Sequence, residues 1–163
     1  MTKDLVVTRI YNAPIQAVWT AWTEPEAVMQ WWGPTCFTCP SAVMDVRVGG
    51  LSVVCMRAPQ TMGGHDMYNS WAYTHIVPGE SIEFIQNLST KDGVSLDPLA
   101  IGLPPDFPRD QRCLVTCKAL SPTQTELTVT QFDWIVGQMF PLAELGLNQC
   151  LDKMAALWPV TVP

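Results

Sequence analysis

Positive charge is scarce in this chain. Nine Lys and Arg stand against fifteen Asp and Glu in 163 residues, a formal net charge of -6, and the basic residues form no run. A chain of this balance has no attraction for phosphate backbones or anionic lipid, so nucleic acid is not expected as a partner. Long apolar stretches are missing as well: none approaches the roughly 18 residues that a bilayer span requires, so no membrane insertion is expected. Residues Met1 to Asp4 do not form a basic region followed by an apolar stretch, and the expected location is cytoplasmic. Only two histidines are present, which leaves little stock for acid-base or metal chemistry.

A disulfide framework is also not expected. Six cysteines are present, but such frameworks belong to short secreted chains with poor cores, and 48% of these residues are hydrophobic. Cys36 and Cys39 form a C-x-x-C, a spacing that serves redox pairs and half zinc sites. The next thiols, Cys113 and Cys117, lie far beyond the usual distance to a second half-site, and their spacing suits one face of a strand. The reading is reduced thiols, with no metal and no cofactor.

What is there fits one domain spanning residues 1–163. Leu5 to Tyr11 is rich in β-branched residues and reads as a strand. Pro14 suits a first helical turn, and Ile15, Val18, Trp19 and Trp22 then follow on one face. Thr23-Glu24-Pro25-Glu26 has the spacing of a capping box for a second short helix running to about Trp32. Trp31 and Trp32 are adjacent and cannot both face inward from one helix, so one of them is expected at a cavity mouth or on the surface.

From Phe37 to Glu126 the texture is β-rich, with turn signals at Gly49-Gly50, Gly63-Gly64, Pro78-Gly79 and Ser121-Pro122, as in an antiparallel meander. Alternation places Ile82, Phe84 and Gln86 on one face of a strand, and Leu127, Val129 and Gln131 on one face of another. Gln86 and Gln131 then aim amides at an apolar interior, where each needs a partner. Residues 89–111 hold four prolines and little periodicity, the mark of either a structured lid over a cavity or a mobile loop. Leu142, Leu145, Leu147, Leu151, Met154 and Trp158 have helical spacing, and Pro159 stops a long C-terminal helix. The expected fold is α+β: a curved antiparallel sheet wrapped around that helix, with two short helices after the first strand.

Particular residues also carry a resemblance. Arg9, Ala13-Pro14, Val18-Trp19, Trp31-Trp32-Gly33-Pro34, Asp45-Val46-Arg47-Val48-Gly49-Gly50 and Met56-Arg57 match in order, as do Tyr73-Thr74-His75-Ile76-Val77-Pro78, Thr125-Glu126-Leu127, Gly146 and Leu151-Asp152-Lys153-Met154. The chain resembles the activator-of-Hsp90-ATPase homologue-like (AHSA) family of the START-like, or SRPBCC, superfamily. The resemblance implies a helix-grip fold with a cavity between sheet and C-terminal helix, used across the superfamily for hydrophobic ligands. Hsp90 itself is not expected as a partner, because in the co-chaperone that names the family its stimulation also involves a separate N-terminal domain.

The leading functional reading is therefore binding of a small hydrophobic molecule. Trp32, Met44, Met56, Tyr73 and Phe84 are candidate lining residues, together with Gln86, Cys113, Val115 and Gln131. A second reading is a polyketide-cyclase or hydratase-like enzyme, with Tyr73, His75 and Glu83 as acid-base groups. Tyr73 and His75, two residues apart, are expected on one strand face. His65, Asp66 and Tyr68 are further candidates near a Gly-Gly turn, though their spacing fits no catalytic motif. Asp45, Arg47 and Arg57 are expected to pair across a hairpin, with an arginine anchoring a ligand as the functional alternative. A third reading is an interaction module, Hsp90-related or a homodimer formed through a sheet edge or an exposed Trp.

Overall fold

The β-branched run at the start of the chain forms β1 (Thr2–Tyr11), and Pro14 caps α1 (Ile15–Thr23) in extended backbone at φ -60°. The computed structural model describes residues 1–159. α2 (Pro25–Trp31) follows one residue later. Then come β2 (Ala42–Val43), β3 (Leu51–Arg57), β4 (Asp66–Val77), β5 (Ser81–Ser89), β6 (Gln111–Ser121), β7 (Gln124–Ile135) and α3 (Met139–Ala155). The seven strands form one curved antiparallel sheet in the order β1-β7-β6-β5-β4-β3-β2, so a meander is closed by the first strand returning beside the last. This is the helix-grip arrangement.

α3 is fastened to the concave face at both of its sides. Arg9 donates to Oδ1 of Asp152 at 2.7 Å and to Oδ1 of Asn148 at 2.9 Å, and the Tyr11 hydroxyl donates to the Leu151 carbonyl at 2.8 Å. On the other side Nζ of Lys153 donates to the carbonyls of Gly33 and Phe37, at 2.9 and 3.0 Å. Arg9, Asp152 and Lys153 are thus explained as clamps between strand, turn and helix.

One half of the space under the sheet is solid. Trp22 and Trp31, from α1 and α2, lie with ring centroids 4.5 Å apart, and Trp71 of β4 stacks on Phe84 of β5 at 5.0 Å. Such ring pairs contribute about 0.5–1.5 kcal/mol beyond the area they bury. The Trp31 indole donates to the Ala21 carbonyl at 2.7 Å, locking α2 onto α1. Trp31 and Trp32 are both buried, at 0% and 9% exposure, because the helix ends between them: Trp32 has extended backbone and leaves in a different direction.

Several local expectations are corrected. No capping box forms: Thr23 is the last residue of α1 and its hydroxyl bonds back to the Trp19 carbonyl, while Glu24 takes the cap position of α2 without a side-chain bond. Arg47 pairs with Asp45 within one irregular segment, whereas Arg57 pairs with Asp66 across β3 and β4. Leu145 is exposed, off the buried stripe of α3. Tyr73 and His75 do not share a face, because the β4–β5 register shifts between them: Tyr73 is opposite Phe84, yet His75 is opposite Glu83. The extra residue, Thr74, is a bulge that turns His75 outward.

Candidate functional site

The other half of the concave space is open. A cavity of about 270 Å³ lies between the sheet and α3. Its floor is formed by the ends of β3 to β7 that lie away from the tryptophan cluster, its roof by Met139, Leu142, Ala143, Gly146, Leu147 and Cys150 of α3. Phe107 and Pro108, from the proline-rich segment between β5 and β6, stand at one side. That segment is fastened: Oδ2 of Asp106 accepts from the Met139 amide at 2.8 Å, and Asp110 and Asn87 exchange bonds at 2.9 and 2.8 Å.

Of the residues singled out from sequence, Trp32, Met56, Gln86 and Gln131 line this cavity. Tyr73, Phe84, Cys113 and Val115 face the same side of the sheet but lie in the filled half, at 3%, 3%, 1% and 1% exposure. Met44 packs partly buried against the core. Period-two alternation specifies the face of a strand but not the position along it, and α1 and α2 occupy the half over which these residues stand.

The two inward glutamines have found partners. Nε1 of Trp71 donates to Oε1 of Gln86 at 3.0 Å, and Nε1 of Trp134 donates to Oε1 of Gln131 at 3.0 Å. An indole N–H only donates, so it selects the oxygen of each amide and fixes which way the amide points. Trp134 reaches Gln131 through a second irregularity. Lys3 and Leu5 of β1 stand opposite Trp134 and Gln131, and between the latter Asp133 has φ 57°. Its amide donates to Oδ1 of Asp4 at 3.0 Å.

Asn69 of β4 and Gln111 of β6 complete a row of carboxamides across four neighbouring strands. Nε2 of Gln111 donates to the Phe132 carbonyl at 2.6 Å. These two, with Phe107, Trp134 and Gly146, escaped the sequence reading as lining residues. Gly146 carried a signal: it is a glycine inside an amphipathic helix, and a Cβ added there meets nothing within 4 Å.

The acid-base candidates do not meet at the cavity. His75 lies on the outer face, its side chain 77% exposed, with Nδ1 3.5 Å from Oε2 of Glu83; the other Glu83 oxygen accepts from Nε of Arg112. Tyr73 sits inside, sharing a 2.7 Å hydrogen bond with Ser52, and burial pushes its hydroxyl up to about 12. His65 and Asp66 are exposed, and Asp66 is occupied by Arg57, which holds its carboxyl below the usual range. Tyr68 is half-buried beside Cys55. The constellation a cyclase or hydratase reading needs is therefore split between core and outer surface.

All six cysteines are free; Cys36 is exposed and the other five are buried. Burial pushes the thiols of Cys39, Cys117 and Cys150 up to about 11. Among the described residues no three His, Cys, Asp or Glu side chains group as metal ligands, and no helix is long and apolar enough to cross a membrane.

Comparison with known proteins decides the kinship. The profile of the "Activator of Hsp90 ATPase homolog 1-like protein" family matches residues 12–158. The chain belongs to this family. A crystal structure of a protein from Chromobacterium violaceum is similar at 24% identity and TM-score 0.76, covering 98% of this chain and 99% of that one. One from Mycobacterium smegmatis shares 19% identity at TM-score 0.75, covering 99% and 94%. An AHSA1 protein from Silicibacter pomeroyi shares 19% identity at TM-score 0.71, covering 94% and 96%. No curated protein matches the chain. At these identities the structures establish the fold that the Hsp90-activator homologues share, and the chemistry of the cavity is read from this chain's own residues.

Proposed function

We propose that the protein binds a small, largely apolar molecule in the cavity between the sheet and α3. One observation carries this reading: the concave face is solid at one end and hollow at the other, and the hollow end is walled by aromatic, Met and Leu side chains punctuated by carboxamides. Ligand pockets have this composition, an apolar lining with a few placed polar groups. At about 270 Å³ the space falls just under the roughly 300 Å³ at which drug-sized pockets begin, which suits a molecule of one or two rings. The family fold supports the same reading, since the cavity lies where the helix-grip arrangement leaves room.

The test is titration of the protein with the neutral dye prodan, followed by its fluorescence, in the wild type and in Gly146→Phe. The phenyl ring of that variant enters the cavity from α3. Saturable binding in the wild type that is lost in a folded Gly146→Phe is the expected result. Absence of saturable binding in the wild type, or equal binding in both proteins, would overturn the proposal.

A further inference from the structure

The cavity lining says more about its occupant than that it is apolar. Of the side chains in the wall only Cys150 is ionisable; no Asp, Glu, Lys, Arg or His takes part. An ion carried past the exposed rim of Met67 and Leu142 and down to the carboxamides loses its hydration and meets no opposite charge, a cost of several kcal/mol after relaxation. The wall therefore selects against carboxylates, phosphates and ammonium groups.

The hydrogen-bonding groups are also unevenly poised. Trp71 and Trp134 each take one of the two lone pairs on the amide oxygens of Gln86 and Gln131, which leaves each glutamine with two free N–H donors against a single remaining lone pair. Among the described residues neither Nε2 makes a hydrogen bond to protein, and neither is sealed among the buried unsatisfied atoms. The indole of Trp32 is part of the same wall, and its Nε1 is buried without a partner. Gln86 and Gln131 stand on β5 and β7, with β6 between them, so two oriented donors flank one apolar space.

We infer that the cavity selects an uncharged ligand bearing a hydrogen-bond acceptor, of the ketone, ester or amide class, whose oxygen takes the N–H groups of Gln86 and Gln131. This rests on the proposed binding function and adds the chemical class to it. An acceptor oxygen has two lone pairs and is satisfied by two such donors, whereas a hydrocarbon leaves both amides dry and unpaired. That penalty is what separates the two kinds of ligand.

The experiment uses three matched probes on the full chain: methyl naphthyl ketone, ethylnaphthalene and naphthoate. Their dissociation constants are measured by calorimetry for the wild type, Gln86→Leu and Gln131→Leu. The expected result is that naphthoate binds at least about tenfold more weakly than the ketone, and that the ketone-to-hydrocarbon affinity ratio falls about three- to tenfold in each variant. Taking that ratio within each protein cancels general damage to the fold. Should Gln86→Leu fail to fold, the double variant Trp71→Phe with Gln86→Leu removes the orphaned indole N–H together with the amide, and the same fall in the ratio is expected. Ratios unchanged in the variants, or naphthoate binding as tightly as the ketone, would overturn the inference while leaving cavity binding intact. If none of the three probes binds the wild type, cavity binding itself fails and the inference falls with it.

Discussion

Trp71 and Gln86 stand directly opposite one another on β4 and β5, and the indole N–H of the first donates to the amide oxygen of the second at 3.0 Å. The tryptophan is 1% exposed and belongs to the solid half of the interior, while the glutamine lines the cavity. The pair is the seam between the two halves.

Cutting that seam has a directional cost. In Gln86→Leu the Trp71 N–H stays buried without an acceptor, which costs about 1–3 kcal/mol. Removing the donor first, in Trp71→Phe, takes away the orphan, so the same glutamine change should then cost at least about 1 kcal/mol less. Urea denaturation of the two single variants and the double variant measures this coupling; additive costs would show that the hydrogen bond contributes nothing.

At Gly146 stability and cavity volume pull in opposite directions. An alanine there meets no atom within 4 Å and removes the entropic cost of a helix-interior glycine, so Gly146→Ala should stabilise the protein by about 0.5–1 kcal/mol. Its melting temperature should rise while prodan binds more weakly. A lower melting temperature would mean that α3 tolerates no methyl on its inner face.

Alkaline solution should expose the buried thiols. Cys39, Cys117 and Cys150 are raised in the folded state to about 11 and Tyr73 to about 12, each by burial. A raised acid group contributes stability that is fully present below its unfolded value, near 9 for the thiols and 10 for the tyrosine, and loses it as pH rises toward the folded value. Stability should therefore hold up to about pH 9 and decline from there to about pH 12. In native protein at neutral pH, iodoacetamide should label Cys36 rapidly and the other five slowly, as mass spectrometry of tryptic peptides would show.

The outer-face cluster should matter little to what happens inside. His75→Ala alters a side chain that is 77% exposed and should change stability by no more than about 1 kcal/mol, whereas Glu83 is 17% exposed and holds the half-exposed Arg112, so Glu83→Gln should cost about 1–3 kcal/mol. Prodan affinity should stay within about twofold. A larger loss of binding in either variant would return the acid-base reading to consideration.

The placement of His75 shows where sequence legibility ended. The element order and the face on which Gln86 and Gln131 lie were readable from periodicity and turn chemistry. The two irregular sites that orient His75 and Trp134 were not. At Thr74 one inserted residue sends His75 outward, and at Phe132–Asp133 another brings Trp134 onto the same side as Gln131. A bulge is a property of a strand pair, and strict alternation within one strand carries no mark of it. Tyr73, Phe84, Cys113 and Val115 stand in the filled half for a different reason. Their inward orientation was legible, yet which end of the sheet is filled depends on how Trp22 and Trp31 pack from two helices elsewhere in the chain.

The row of carboxamides from Asn69 to Gln131 has one consequence for the conditions under which the cavity operates. Amides neither gain nor lose protons in ordinary solution, and the single thiol in the wall, Cys150, keeps its proton until about pH 11. With no fixed charge inside, dissolved salt has nothing there to shield. Under the proposed function, the affinity for an uncharged guest should therefore lose nothing to ionic screening and stay flat from mildly acidic to mildly basic media, rising only where concentrated salting-out salts strengthen apolar burial.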